Sequence, residues 1–280
     1  MNDRRPDRDT EALLAGIVAD VDADLPRLVF ADFLEETGHP ANVARAAFIR
    51  QQIEDDEIEG DHPERAANRL RLDDLKTQFQ DEWDIAWEGR KCPVRVHRRR
   101  GFVDTILVNG ENKPVLDFRE TAWRYVPFTR IDLLIPFYDD AFWRRFIDHP
   151  ACNRFREVNF CQKYYDVAAR PFSPELVAVI LRSPTLSGLR RFSIKLSEMD
   201  DLGLIRVLSL LRTAEFFDTL ETLDLSHNQL TDQAAHALAA ADWPPHFKLL
   251  RLGGNRLTPQ GMDIVQARFH RDGKRTARVV

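Results

Sequence analysis

The sequence predicts an α/β protein, an N-terminal helical cap followed by an irregular solenoid with parallel strands on a concave face and helices on a convex one. Three observations lead there. Apolar side chains recur at helical spacing through roughly the first eighty residues. Beyond them, one arrangement of leucines and an asparagine occurs twice, 27 residues apart. Charge divides along the same line: residues 1–82 hold 21 acidic and 10 basic side chains, leaving 24 and 30 for the remainder. A chain of 280 residues with 44% apolar content is long enough to bury the core this requires.

Four helices are expected in the first part. Leu13, Leu14, Ile17 and Val18 share one face of the first. In the second, DLPRLVFADFLEETG, the face is Leu25, Leu28, Val29 and Phe33, with Asp24 as N-cap, Pro26 in the first turn and Gly38 as the stop. NVARAAFIRQQI forms a third, and Leu72, Leu75, Phe79 and Trp83 define a fourth. Between these two lies the acidic run Glu54–Asp61. It lacks the alternating oxygen ligands and closing glutamate of a calcium loop and reads as a solvated connection.

The repeated arrangement is LETLDLSHNQL, starting at Leu220, and FKLLRLGGNRL, starting at Phe247. In each, relative positions 4 and 6 point inward from a short strand, and positions 3, 5 and 7 point outward. The asparagines, Asn228 and Asn255, then turn the chain and bond backbone groups the turn leaves unpaired. The next segment, TDQAAHALAAADW, is helical, with Thr231 as N-cap. Looser copies start at Leu189, Phe155 and Phe128, with Ser197, Lys163 and Pro136 in the asparagine place and spacings of 27, 34, 31 and 27 residues along the series. GFVDTILV is a further candidate strand at the start of the stack.

The two full copies resemble leucine-rich repeats of the long, ribonuclease-inhibitor-like type, whose pattern is L-x-x-L-x-L-x-x-N-x-L. That resemblance implies binding of other macromolecules through the outward strand residues. A second resemblance lies upstream. ALLAGIVADVDADLPRLVFADFLEETGHPANVARAAFIRQQ, with Arg27, Leu28, Ala31, Asp32, Leu34, Glu35, Glu36, Gly38, Phe48, Ile49, Arg50 and Gln51, is similar to the repeat-companion domain of uncharacterised bacterial proteins, and RRGFVDTILV to that family's linker. Phe33 stands where the family has tryptophan. The resemblance implies no chemistry. The expected division is residues 1–88 as the helical repeat-companion domain, 89–125 as linker with the first strand and helix, and 126–280 as repeats.

Enzyme motifs are missing: there is no phosphate-cradling glycine loop, no nucleophile elbow and no H-E-x-x-H helix. His97, His227 and His246 have no metal-ligand spacing, and neither do Cys92, Cys152 and Cys161. No enzyme activity, cofactor or metal is expected. The N-terminus opens with charges and no run of about eighteen apolar residues occurs, so no signal, no membrane span and a cytoplasmic location are expected. Asp32, Glu35 and Glu36 with Arg27 and Arg50 read as a polar seam between helices, with a binding constellation as the alternative.

The site expected to act is the outward strand row: Arg130 and Asp132; Glu157 and Asn159; Arg191, Ser193 and Lys195; Thr222, Asp224 and Ser226; and Arg251. Leu134, Cys161, Leu249 and Gly253 complete it. A rigid sheet carrying varied charged side chains recognises another protein by shape and charge, so a scaffold or adaptor role with a protein partner is expected. The plain alternative is a solvated sheet face. Basic segments at 90–100 and 268–278 offer a second reading, a nucleic-acid-associated module, and an enzyme with a non-local site is a third.

Overall fold

The computed structural model describes residues 7–57, 63–83, 98–108, 121–133, 140–161, 174–271, 274–275 and 277–280. They form two compact units, one running to Ile106 and including the residues up to Phe128, the other beginning at Leu107 and resuming at Thr129.

The first unit contains α1 (Arg8–Ala19), α2 (Leu25–Glu36), α3 (Pro40–Glu57) and α4 (Pro63–Trp83). A hairpin of β1 (Arg98–Arg99) and β2 (Phe102–Val103) follows, then β3 (Thr105–Val108) and α5 (Thr121–Tyr125). Its core joins Leu14 and Ile17 of α1, Phe30, Ala31 and Leu34 of α2, Ala46, Ile49 and Ile53 of α3, and Phe102. Ala44, Phe48, Leu72 and Trp83 form a second cluster, anchored where the Trp83 Nε1–H donates to the Ala41 carbonyl at 2.8 Å.

The face of α2 differs in part from the expectation: Leu28 and Phe33 pack against the first of these clusters as expected, but the rest of the face does not follow. Leu25 and Val29 are exposed, at 71% and 45%, while Arg27, Phe30, Ala31 and Leu34 are buried. Arg27 tolerates burial because its guanidinium donates to the Ala23 carbonyl and, at 2.8 Å, to that of Val21, while lying over the Phe102 ring. Burial, with a lesser push from Arg100, lowers its pKa to about 10. Asp24 occupies the N-cap position in helical φ/ψ, but its side chain bonds no helix N–H and faces Arg100 instead at 3.3 Å. Gly38, at φ +66°, ends the helix as expected.

The second unit alternates strand and helix: β4 (Arg130–Leu133), α6 (Asp140–Ile147), β5 (Glu157–Cys161), α7 (Pro174–Leu181), β6 (Arg191–Lys195), α8 (Asp201–Leu211), β7 (Thr222–Asp224), α9 (Asp232–Ala240), β8 (Leu249–Arg251) and α10 (Pro259–Arg268). It closes with a short hairpin, β9 (His270–Arg271) and β10 (Lys274–Arg275), and β11 (Arg278–Val279). The sheet has seven strands in the order β11-β8-β7-β6-β5-β4-β3 and is parallel from β4 through β11. Residues 107 and 108 of β3 count with this unit.

Every strand residue expected to point inward is buried: Ile131 and Leu133, Val158 and Phe160, Phe192 and Ile194, Leu223 and Leu225, Leu250 and Leu252. Consecutive helices from α6 to α10 pack side by side and contribute Ile147, Ile180, Leu204, Val207, Ala235, Leu238 and Val265. Connecting parallel strands through helices requires this layering, since each crossover must return the chain to the same end of the sheet. Each strand start is held by one carbonyl of the previous unit: that of Thr129 accepts from the N–H groups of Arg156 and Glu157, that of Arg156 from Arg190 and Arg191, that of Arg190 from Glu221 and Thr222, and that of Glu221 from Lys248 and Leu249. The expected starting strand GFVDTILV is found as β2 and β3. Pro136 and Lys163, in the asparagine place of two looser copies, lie outside the described residues.

Candidate binding face

Parallel, in-register pairing stacks the outward side chains into rows. One row runs Arg130, Glu157, Arg191, Thr222, Leu249 and Arg278, and the next Asp132, Asn159, Ser193, Asp224 and Arg251. Cys161 pairs with Lys195 beyond them, and Ser226 and Gly253 follow the ends of β7 and β8. Leu134 lies outside the described residues. Arg278 was assigned to the basic tail by its sequence. Its place is in the sheet, because Ala277 and Val279 are buried on either side of it and β11 pairs with β8.

At the β4–β6 end the polar groups bind one another. The Arg130 guanidinium donates to both carboxylate oxygens of Asp132, at 2.7 and 3.0 Å, and lies 3.2 Å from Glu157. The Asn159 amide donates to Asp132 at 2.7 Å and to Glu157 at 2.9 Å. Two carboxylates, an amide and a guanidinium thus form one half-buried network on neighbouring strands. Toward β11 the contacts are longer: Arg191 stands 3.5 Å from Glu157, and Arg251 stands 3.5 Å from Asp224. Both arginine side chains stay about half exposed, at 55% and 51%. Asp224 is fixed by accepting from the Ser226 N–H at 3.0 Å, and the buried Ser193 hydroxyl has no hydrogen-bond partner among the described residues.

Asn228 and Asn255 set the turns that end these strands. The Asn228 amide donates to the carbonyls of Ile194 and Leu225, and its oxygen accepts from the N–H groups of Ser197 and Met199. Asn255 repeats this one unit on, donating to Leu225 and Leu252 and accepting from Asn228 and Leu230. The residue before Ser197, Asn228 and Asn255, which share one repeat position, has positive φ: Leu196 at 54°, His227 at 58° and Gly254 at 76°. Glycine is required at the last, where a Cβ would stand 2.3 Å from Nδ1 of His227. His227 is thereby an exposed turn residue stacked on its neighbour.

A second set of grips, not anticipated from the sequence, ties helix starts together. Asp201 accepts from both the N–H and the hydroxyl of Thr231, at 2.8 and 2.6 Å, and Asp232 does the same for Thr258, at 2.9 and 2.6 Å. The Thr258 bonds hold the Asp232 carboxyl below its usual pKa. The available signal was an aspartate following the N-cap residue in DD and TD, which reads as ordinary helix-dipole chemistry. Both threonines also cap their own helices, accepting from Gln233 and Gly261.

The other candidates are accounted for within their own units. Arg99 and Arg100 each donate to Asp56, at 3.1 and 3.0 Å, and Arg100 also to the Asp22 carbonyl at 2.8 Å. Their hairpin turns at Arg100 and Gly101, both at positive φ, and a Cβ on Gly101 would meet Ile49 at 2.2 Å. Residues 90–97, with His97 and Cys92, lie outside the described residues. Arg50 bridges Asp32 at 2.6 Å and Glu35 at 2.7 Å across α2 and α3, while Arg27 is buried apart from them. Cys152 is buried, and its burial raises the thiol pKa. Among the described residues no group of three or more His, Cys, Asp or Glu is placed to hold a metal, and no helix is long and apolar enough to cross a membrane.

A family model described as a leucine-rich repeat matches residues 219–239, which run from the end of the turn before β7 through α9. The matched stretch, β7 with its turn and α9, is similar to a leucine-rich repeat. No curated protein matches the chain. Among solved structures, a crystal structure of a Bacteroides fragilis protein is similar at 17% identity and a TM-score of 0.39, over 50% of this chain and 38% of that one.

Proposed function

We propose that the protein is a non-catalytic scaffold or adaptor that binds another protein through the concave strand face of its leucine-rich repeats. The observation carrying this reading is the pair of in-register rows from Arg130 to Arg278 and from Asp132 to Arg251, which set charged and uncharged side chains at defined places on a backbone fixed by the sheet. Such rows offer specificity through charge placement at no cost in ordering a loop. Residues 1–88 serve as a repeat-companion domain, 89–125 as linker, and 126–280 as the binding repeats, acting in the cytoplasm. The nucleic-acid reading is weaker because Arg99 and Arg100 are engaged by Asp56 and Asp24.

The test is affinity capture from nuclease-treated cell extract with the wild type and an Arg191→Glu, Asp224→Arg, Arg251→Glu variant. A protein retained by the wild type and lost from the variant is expected. Equal recovery by both, or recovery of nucleic acid alone from untreated extract, would overturn the assignment.

A further inference from the structure

Resting on that reading, we infer that the face takes an extended acidic segment of its partner, laid across strands β6, β7, β8 and β11. The two ends of the face differ in what they leave available. Arg130 is surrounded by Asp132, Glu157 and Asn159. At the other end four cations, Arg191, Lys195, Arg251 and Arg278, share the surface with Asp224 and the rim carboxylate of Glu157. Among the described residues Lys195 and Arg278 have no acidic partner, and Arg191 and Arg251 reach theirs only at 3.5 Å.

The first row gives the spacing. Arg191, Thr222, Leu249 and Arg278 stand on four successive strands, so two cations flank a hydroxyl and a half-buried leucine. Three strand spacings separate the arginines by about 14 Å, which an extended chain covers in about four residues. The segment that fits therefore carries Asp or Glu about four residues apart, with small or apolar side chains between them to rest on Thr222 and Leu249. A nucleic-acid backbone fits less well. Its evenly spaced phosphates would pass Asp224, which is held in place by Arg251 and the Ser226 N–H in the middle of the cationic group.

The experiment is fluorescence anisotropy of the full chain in low-salt buffer with three labelled probes: a peptide repeating Glu-Ser-Val-Ser, one repeating Lys-Ser-Val-Ser, and oligodeoxythymidylate. The glutamate peptide is expected to bind, and to weaken at least about tenfold with Arg191→Glu/Arg278→Glu and less with the milder Arg191→Gln/Arg278→Gln pair. Arg206→Gln, at an exposed position of α8 away from the strand face, should leave it within about twofold, and added salt should weaken it. Thermal melts establish that each variant is folded. Failure of the glutamate peptide to bind, indifference to both double variants, or tighter binding of the oligonucleotide would overturn the inference. A strand-face-dependent response to the lysine peptide would remove the acidic partner while leaving the protein-binding face intact, and the extract capture decides that broader reading independently.

Discussion

The two ends of the repeat stack share a sheet but are held by different means. From β6 to β8 the backbone is fixed by side chains that recur in sequence: Asn228 and Asn255 at the turns, Asp201 and Asp232 at the helix starts. At β4 and β5 the inward residues are Ile131, Leu133, Val158 and Phe160, the last edge-on to Phe192 of β6 at 6.0 Å, and the outward face carries the ion-pair network. Where the backbone is held from within, the outward side chains are left free to meet a partner. Where surface charges bind each other, they are already occupied.

The largest expected effect breaks the regular end. Asn228→Ala strips partners from buried N–H and carbonyl groups of two adjacent turns and should cost about 2–4 kcal/mol in urea unfolding. Ser197→Ala, at the same repeat position, removes one bond to the Lys195 carbonyl and should cost about 1 kcal/mol or less. Equal losses would remove the distinction between an asparagine ladder and a mere turn. Gly254→Ala forces a side chain into positive φ against the His227 ring and should lower stability by about 1–2 kcal/mol by the same measurement.

Smaller effects sharpen the contrast on the outward face. Arg130→Gln leaves Asp132 and Glu157 adjacent without their shared cation and should cost about 1 kcal/mol, whereas Arg191→Gln should cost no more than about 0.5. Thermal melts at low and high salt would check this, with only the Arg130 difference persisting. Asp232→Asn should show its effect in the pH profile. Because the Thr258 bonds make the folded carboxyl titrate below its ordinary value, its contribution is present above that ordinary value and lost as pH falls through the lowered folded pKa. The variant should therefore differ from wild type near neutrality and converge with it in acid.

Legibility in the sequence followed the same division. The spacing around Asn228 and Asn255 could be read directly, since a full repeat has one physical solution, and alternate apolar residues, Ile131 and Leu133, Val158 and Phe160, marked β4 and β5 even without the asparagine. The face of α2 was read in part: Leu28 and Phe33 pack against the core, while Leu25 and Val29 are exposed. Arg27 takes the inward place, its charge satisfied by carbonyls that the sequence does not advertise. β11 was hidden by its length of two residues in a basic run. The Asp201 and Asp232 grips pair residues one repeat apart, and local capping logic looks only within a helix.

Photo-crosslinking tests the binding face most directly. A photoreactive residue placed at Thr222, between Arg191 and Leu249 on the sheet, is compared with one at exposed Gln233 on α9, both in native extract. A discrete protein adduct from Thr222, absent from Gln233 and diminished by competing Glu-Ser-Val-Ser peptide, is the expected result. An adduct from Gln233 alone, or none from Thr222 while a partner is still captured, would contradict a binding site on the strand face.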